Sequence, residues 1–180
     1  MENREIYQIV WAFTLGLTVY AGWLDARTRR IPNWLTVSGF ALGVGANSIL
    51  SGWHGAVTAF EGAGLGLLIL LPLVLMRAMG AGDWKLMGAI GSFVGPEMLF
   101  SVLMCSVLVA GAMAIVVMIR AGRVRVTMRN LATLTLGFIA FGLRPNPEIS
   151  LDNPEALKVP FGVAVAIGTV LRFMATKYGL

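Results

Sequence analysis

The chain has 180 residues, 57% of them hydrophobic and only 13% charged, with a mean hydropathy of +0.80. Soluble domains carry about 25% charged residues, so this composition excludes an ordinary water-exposed globule and indicates an integral membrane protein. The net charge of +5 raises the question of nucleic acid, but the placement of the basic residues along the chain gives a different answer.

The first apolar run, Ile6 to Leu24, contains no charged residue. Met1-Glu2-Asn3-Arg4-Glu5 ahead of it lacks a basic stretch, so the run reads as a retained transmembrane helix and not as a cleaved signal peptide. Further spans are expected near 34–50, 56–76, 79–95, 97–119 and 159–175. The fold class is therefore an all-α polytopic bundle of about six transmembrane helices, forming one domain over 1–180. The fourth span is short: Trp84 to Val94 makes about 17 Å of helix at ~1.5 Å per residue. Crossing ~30 Å of hydrocarbon requires it to use Gly80 to Asp83 or to thin the bilayer. Leu131 to Leu143 is too short for a comfortable span and is expected to be interfacial or re-entrant.

With six crossings the basic residues sort by side. Arg27, Arg29, Arg30, Arg77, Lys85, Arg120, Arg123, Arg125, Arg129, Arg144 and Lys158 share one face, against Arg4, Arg172 and Lys177 on the other. The positive-inside rule then puts both termini outside and the basic loops in the cytoplasm. Trp23, Trp34, Trp53 and Trp84 fall near span ends, where an aromatic belt is expected. The basic patch from Arg120 to Arg129 has no interleaved aromatic residues, so anionic lipid and topology account for it rather than nucleic acid.

Only three aspartates occur, and two of them sit at inner span ends within short motifs. Asp25 opens Asp25-Ala26-Arg27-Thr28-Arg29-Arg30-Ile31-Pro32-Asn33, and Asp83 lies in Gly80-Ala81-Gly82-Asp83-Trp84-Lys85-Leu86. Carboxylates are costly near a bilayer, which makes such a pair a functional-site candidate. Asp25 ends the first span and Asp83 opens the fourth, so two intervening crossings return the chain to the same face. Two neighbouring carboxylates share a proton, because both cannot ionise cheaply. One can then activate water while the other protonates a carbonyl oxygen. Gly80 and Gly82 are expected to let a backbone approach Asp83 and to permit a sharp turn. Lys85 reads as a snorkelling anchor and Asn33 as the N-cap of the second span.

At these residues the chain resembles the type IV prepilin peptidase family, the Gly-x-Gly-Asp aspartic membrane proteases. The aspartate, arginine and Ile-Pro-Asn pattern lies at Asp25 to Asn33, and Gly-x-Gly-Asp-x-Lys-Leu lies at Gly80 to Leu86. A third stretch, Lys158-Val159-Pro160-Phe161-Gly162-Val163-Ala164 through Gly168-Thr169, is similar to the family's last span. The resemblance implies that Asp25 and Asp83 are the catalytic pair. It implies supporting or substrate-binding roles for Gly80, Gly82, Lys85 and Asn33, with no cofactor or metal. It also implies substrates: prepilins or pseudopilins, whose basic leader precedes an apolar helix and is cut on the cytoplasmic side of the inner membrane. Larger members carry a cysteine-rich zinc insert and also N-methylate the product. That insert is missing here, so the chain resembles the short, peptidase-only form serving Tad/Flp-type pili.

The remaining features read more simply. Cys105, the sole cysteine, allows neither an internal disulfide nor a Cys-x-x-Cys zinc site and is read as a packing residue. His54 falls in a short outer loop without partner ligands, and Glu61 is read as interfacial. Gly62-Ala63-Gly64-Leu65-Gly66 has no strand before it, so it is a close-packing surface and not a dinucleotide loop. Glu148, Asp152 and Glu155 are candidates to receive the leader's positive charge. Two other functions fit a small helical bundle. A proton-coupled transporter would carry midplane carboxylates and an internal repeat, and an assembly factor would tolerate Asp→Asn at both motifs.

Overall fold

The computed structural model describes residues 3–124, 128–129 and 159–178. The described residues are helical, with no strand among them. The helices are α1 (Asn3–Thr28), α2 (Asn33–Leu75), α3 (Ala81–Arg120) and α4 (Phe161–Tyr178). The first three contain stretches long and apolar enough to cross a membrane. The 131–143 segment, Arg144, Lys158 and the acidic trio Glu148, Asp152 and Glu155 lie outside the described residues.

Two helices turn back on themselves through a single residue. In α2 the break is at Gly52, with φ 59° and ψ −143°. In α3 it is at Gly95, with φ 74° and ψ 175°, and Pro96 follows. Both glycines occupy the region open to a residue without Cβ, and proline disfavours helical backbone at the position before it. Cross-helix contacts show the reversal in α2. Lys85 meets Asn33 and Trp84 meets Leu67, so residues 33 and 67 lie at one level. Asn47 reaches Ser92 and Phe93, and Gly62 lies on Gly91, so residues 47 and 62 lie at the opposite level. The first leg of α2 (33–51) therefore runs beside the start of α3 in the same direction, and the second leg (53–75) runs against it.

From the sequence, His54 is expected in a short outer loop. The structure corrects this: residues 51–60 are helical around the Gly52 break, because one glycine in the left-handed region reverses the chain without a loop. Trp23, Trp34 and Trp53 are exposed, as membrane-facing aromatics would be. Trp84 is not: it is half-buried, and its Nε1–H donates to the Leu67 carbonyl at 2.7 Å.

Close backbone approach sets the register of α2 on α3. A Cβ at Gly62 would collide with the Gly91 carbonyl, one at Gly91 with the Gly62 carbonyl, and one at Gly43 with Ser92. Gly62 and Gly66 face α3 while Gly64 looks into open space, so alternate members of the glycine cluster do the packing. On the other side of the bundle α1 runs antiparallel to α4. Gly22 lies against Ala166 and the Gly162 carbonyl, and the Trp11 and Phe173 rings are 5.5 Å apart.

Apolar surroundings require every backbone group to find a partner within the protein. Pro96 has no N–H to give the Ser92 carbonyl four residues earlier. Asn47 replaces it: its Nδ2 donates to Ser92 O at 2.8 Å and to Phe93 O at 3.0 Å. Replacing Asn47 by Leu leaves these carbonyls without that donor, at a cost of about 1–3 kcal/mol. A lowered thermal-unfolding midpoint in detergent is the expected outcome. An unchanged midpoint would show that the carbonyls find other donors.

Candidate active site

Asp25 sits in the last turn of α1, and the helix ends three residues later. The termination uses Arg29 in the left-handed region, φ 53°, with its N–H donating to the Asp25 carbonyl at 2.9 Å. Ile31 and Pro32 then lead into α2. A second such turn follows α2, where Arg77 has φ 55° and the N–H groups of Ala78 and Met79 both donate to the Leu73 carbonyl. These two connections lie on either side of a cavity of about 640 Å³ lined by Leu24, Asp25, Arg29, Arg30, Asn33, Gly80, Gly82 and Asp83, among others. The two aspartates thus share one cavity.

Asp25 is only 6% exposed. Its Oδ2 accepts the Gly162 N–H at 2.8 Å. Gly162 is the second residue of α4, in a turn whose N–H groups have no partner within the helix. The start of α4 therefore supplies a donor to a carboxylate 137 residues away in sequence, in the manner of an anion at a helix N-terminus. A Cβ on Gly162 would stand 2.9 Å from the Asp25 Cβ, 3.1 Å from its Oδ2 and 3.2 Å from Ile31 Cδ1. Only glycine fits there without displacing the carboxylate.

Asp83 lies in the first turn of α3. Gly80 immediately precedes the helix with φ −70° and ψ 141°, a backbone open to any residue. The expectation that Gly80 is needed for a sharp turn is therefore corrected. What the missing side chain gives is space, since a Cβ at Gly80 would lie 3.1 Å from Asp83 Oδ2, closer than ordinary contact. Gly82 also serves packing, because its Cβ would lie 3.0 Å from the Ile31 carbonyl oxygen. The absence of that side chain brings the α1–α2 connection, and Asp25 with it, up to α3.

Two further expectations change. Asn33 is not an N-cap: Pro32 holds that position, without a side-chain cap hydrogen bond. The Asn33 Oδ1 instead accepts from Lys85 Nζ at 3.0 Å. Lys85 does not line the cavity. It points about 200° around the helix from Asp83 and ties the start of α3 to the start of α2. Of the basic residues beside Asp25, Arg29 and Arg30 line the cavity, while the Arg27 guanidinium lies 4.7 Å from the centre of the Trp23 ring.

Sequence reasoning brought Gly162 into view only as part of a span resembling the family's last helix, with no role attached. The signal available was its place in Pro160-Phe161-Gly162, a glycine two positions after the proline that precedes a helix.

The family model of the type IV leader peptidase family matches residues 12–116 of this chain. That stretch holds both aspartates, both left-handed arginine turns and both glycine reversals. No curated protein and no solved structure matches the chain.

Gly162→Ala forces a methyl group against Asp25, a crowding worth about 1–3 kcal/mol. Gly111→Ala, whose methyl would meet nothing within 4 Å, is the reference. The Gly162 variant is expected to melt several degrees below it in detergent, and equal midpoints would mean that α4 yields without cost.

Proposed function

Because the chain belongs to the type IV leader peptidase family, we propose that Asp25 and Asp83 are the catalytic pair of an aspartic endopeptidase that removes leaders from prepilin- or pseudopilin-type substrates. The reading rests above all on one observation: two carboxylates from separate helices line a single cavity in a chain with few acidic residues.

The chemistry follows from that pairing. Between them the two carboxyl groups hold one proton. The ionised one takes a proton from water as the water oxygen adds to the scissile carbonyl carbon. The protonated one gives its proton to the carbonyl oxygen. When the tetrahedral adduct collapses, the C–N bond breaks and the nitrogen leaves as an amine carrying a proton returned by the pair. The Gly162 N–H contact holds Asp25 in one orientation, and Gly80 keeps space beside Asp83. The Lys85–Asn33 hydrogen bond holds two of the helix starts around the cavity at a fixed spacing.

The membrane arrangement in this reading has six crossings. The two legs of α2 and the two legs of α3 each count as one, the N-terminus is outside and the carboxylates are at the cytoplasmic rim. The whole chain acts as one peptidase domain in the inner membrane of a bacterial cell. In this reading it resembles the short, peptidase-only members of the Tad/Flp type.

The test is leader removal from a prepilin-type substrate in proteoliposomes. Asp25→Asn and Asp83→Asn should each lower the rate by ~10²- to 10⁴-fold. The double variant should be little worse than either alone, because the residues act as a unit. Full activity in either single variant would remove that residue from the pair.

Because the working pair carries one proton, the rate should fall on both the acid and alkaline sides of an optimum. A rate that climbs to a plateau without an alkaline limb would argue against a shared proton.

A further inference from the structure

A second concavity adjoins the first. It lies between α1 and the first leg of α2 and encloses about 500 Å³. These two helices are joined by a short connection and touch each other only lightly, with Leu17 against Gly39 and the Tyr20 ring 6.2 Å from the Trp34 ring. α1 rests on α4 through Gly22 and Trp11, and α2 rests on α3 through Gly43 and Gly62. The gap between them is walled by Gly16 and Tyr20 on one side and by Trp34 and Gly39 on the other, with Phe93 of α3 also in the lining.

We propose that this groove seats the apolar helix of the substrate and delivers the adjoining peptide bond to the two carboxylates. The proposal rests on the leader-peptidase reading and adds to it a site for the part of the substrate that is not cut.

Exposed apolar surface alone says nothing in a bilayer, where lipid covers it. Shape, chemistry and continuity direct this one. The groove follows α1 from Ala12 to Tyr20, a length of about 12 Å, or two helical turns. At its inner end Tyr20 is one turn from Leu24, and Trp34 adjoins Asn33. Leu24 and Asn33 both line the carboxylate cavity, so the groove and the cavity are neighbours along α1 and α2, with the Tyr20 and Trp34 rings, 6.2 Å apart, between them. The lining offers little to a polar ligand: the Ser38 hydroxyl already donates to the Leu35 carbonyl at 3.3 Å. At Gly16 a Cβ would meet none of the described residues within 4 Å, so bare backbone faces the groove. A glycine surface of this kind lets a second helix approach closely in lipid. A chain cut at the inner rim and continuing as an apolar helix needs such a seat beside the cutting groups.

The experiment uses the full chain in proteoliposomes. Gly16→Cys is combined with Cys105→Ser, which removes the sole native cysteine, and with Asp83→Asn to keep the substrate uncut. The substrate carries single cysteines walked along its apolar helix. Cross-links recurring every three to four substrate positions are expected. Cross-links only between two enzyme copies, or none to the substrate, overturn the proposal.

In otherwise native enzyme, Gly16→Trp should cost about tenfold in kcat/KM on the helix-bearing substrate, and far less on a soluble peptide spanning the scissile bond. Gly111→Trp, at a position outside the groove lining where a Cβ would meet no described residue within 4 Å, should behave as wild type. Equal losses on both substrates, or no loss on either, overturn the groove. If wild-type enzyme cuts neither substrate, the leader-peptidase reading fails and the groove proposal fails with it.

Discussion

At Gly62 and Gly91 the backbones of α2 and α3 come so close that either missing side chain would fall on the other's carbonyl. In lipid, helices gain nothing from hiding apolar surface from each other, so dispersion at such contacts does most of the holding. The contact also acts as a ruler. With Gly43 on Ser92 and Gly66 on Met87, it leaves α3 one register on both legs of α2. A slip of one turn would move Asp83 by about 5.4 Å, out of line with Asp25. The depth of one carboxylate thus follows from glycines that are nowhere near it.

The other carboxylate is placed by a different device. α1 makes its main contacts with α4, the last described helix, through Gly22, through the Trp11–Phe173 ring pair and through the Asp25–Gly162 hydrogen bond. α4 packs at least as extensively on the second leg of α3, at Gly168 and Ser106, as on α1, so it joins α1 to the α2–α3 pair. The cavity and the groove both open where α1 faces the start of α2.

Some of this was legible in the sequence, for physical reasons that can be named. Asp25 and Asp83 stood out because charge is so costly in an apolar chain that each carboxylate demands an explanation. The stretch Gly62 to Gly66 was legible as a close-packing surface because small residues let helices approach, while which of its glycines face α3 emerged only from the fold. Gly162 as the donor to Asp25 was not, since a contact across 137 residues leaves no local pattern. Asn47 was passed over as one more polar residue in a span. Its meaning depends on Pro96, which withholds an N–H from Ser92, and on a fold that carries that carbonyl to Asn47. The roles of Lys85 and Asn33 were misread separately because each is explained by the other. Residues defined by a local spacing or by an intrinsic cost could be read; residues defined by a distant partner could not.

On the proposed reading the enzyme must bring three incompatible things together: water, an apolar chain and a charged pair. Water belongs on the side of the cavity where Arg29 and Arg30 stand among the lining residues. The apolar chain belongs in the groove beyond Tyr20 and Trp34, whose lining carries no charged side chain. The carboxylates sit between the two. Asp25 is nearly enclosed and tied to a backbone N–H, and Asp83 is half-buried at a helix start. A bond presented from the groove reaches them before it reaches open water. That order suits hydrolysis of a single bond at the end of a membrane helix, because the helix beyond the cut stays in apolar surroundings while only the peptide at its end meets water.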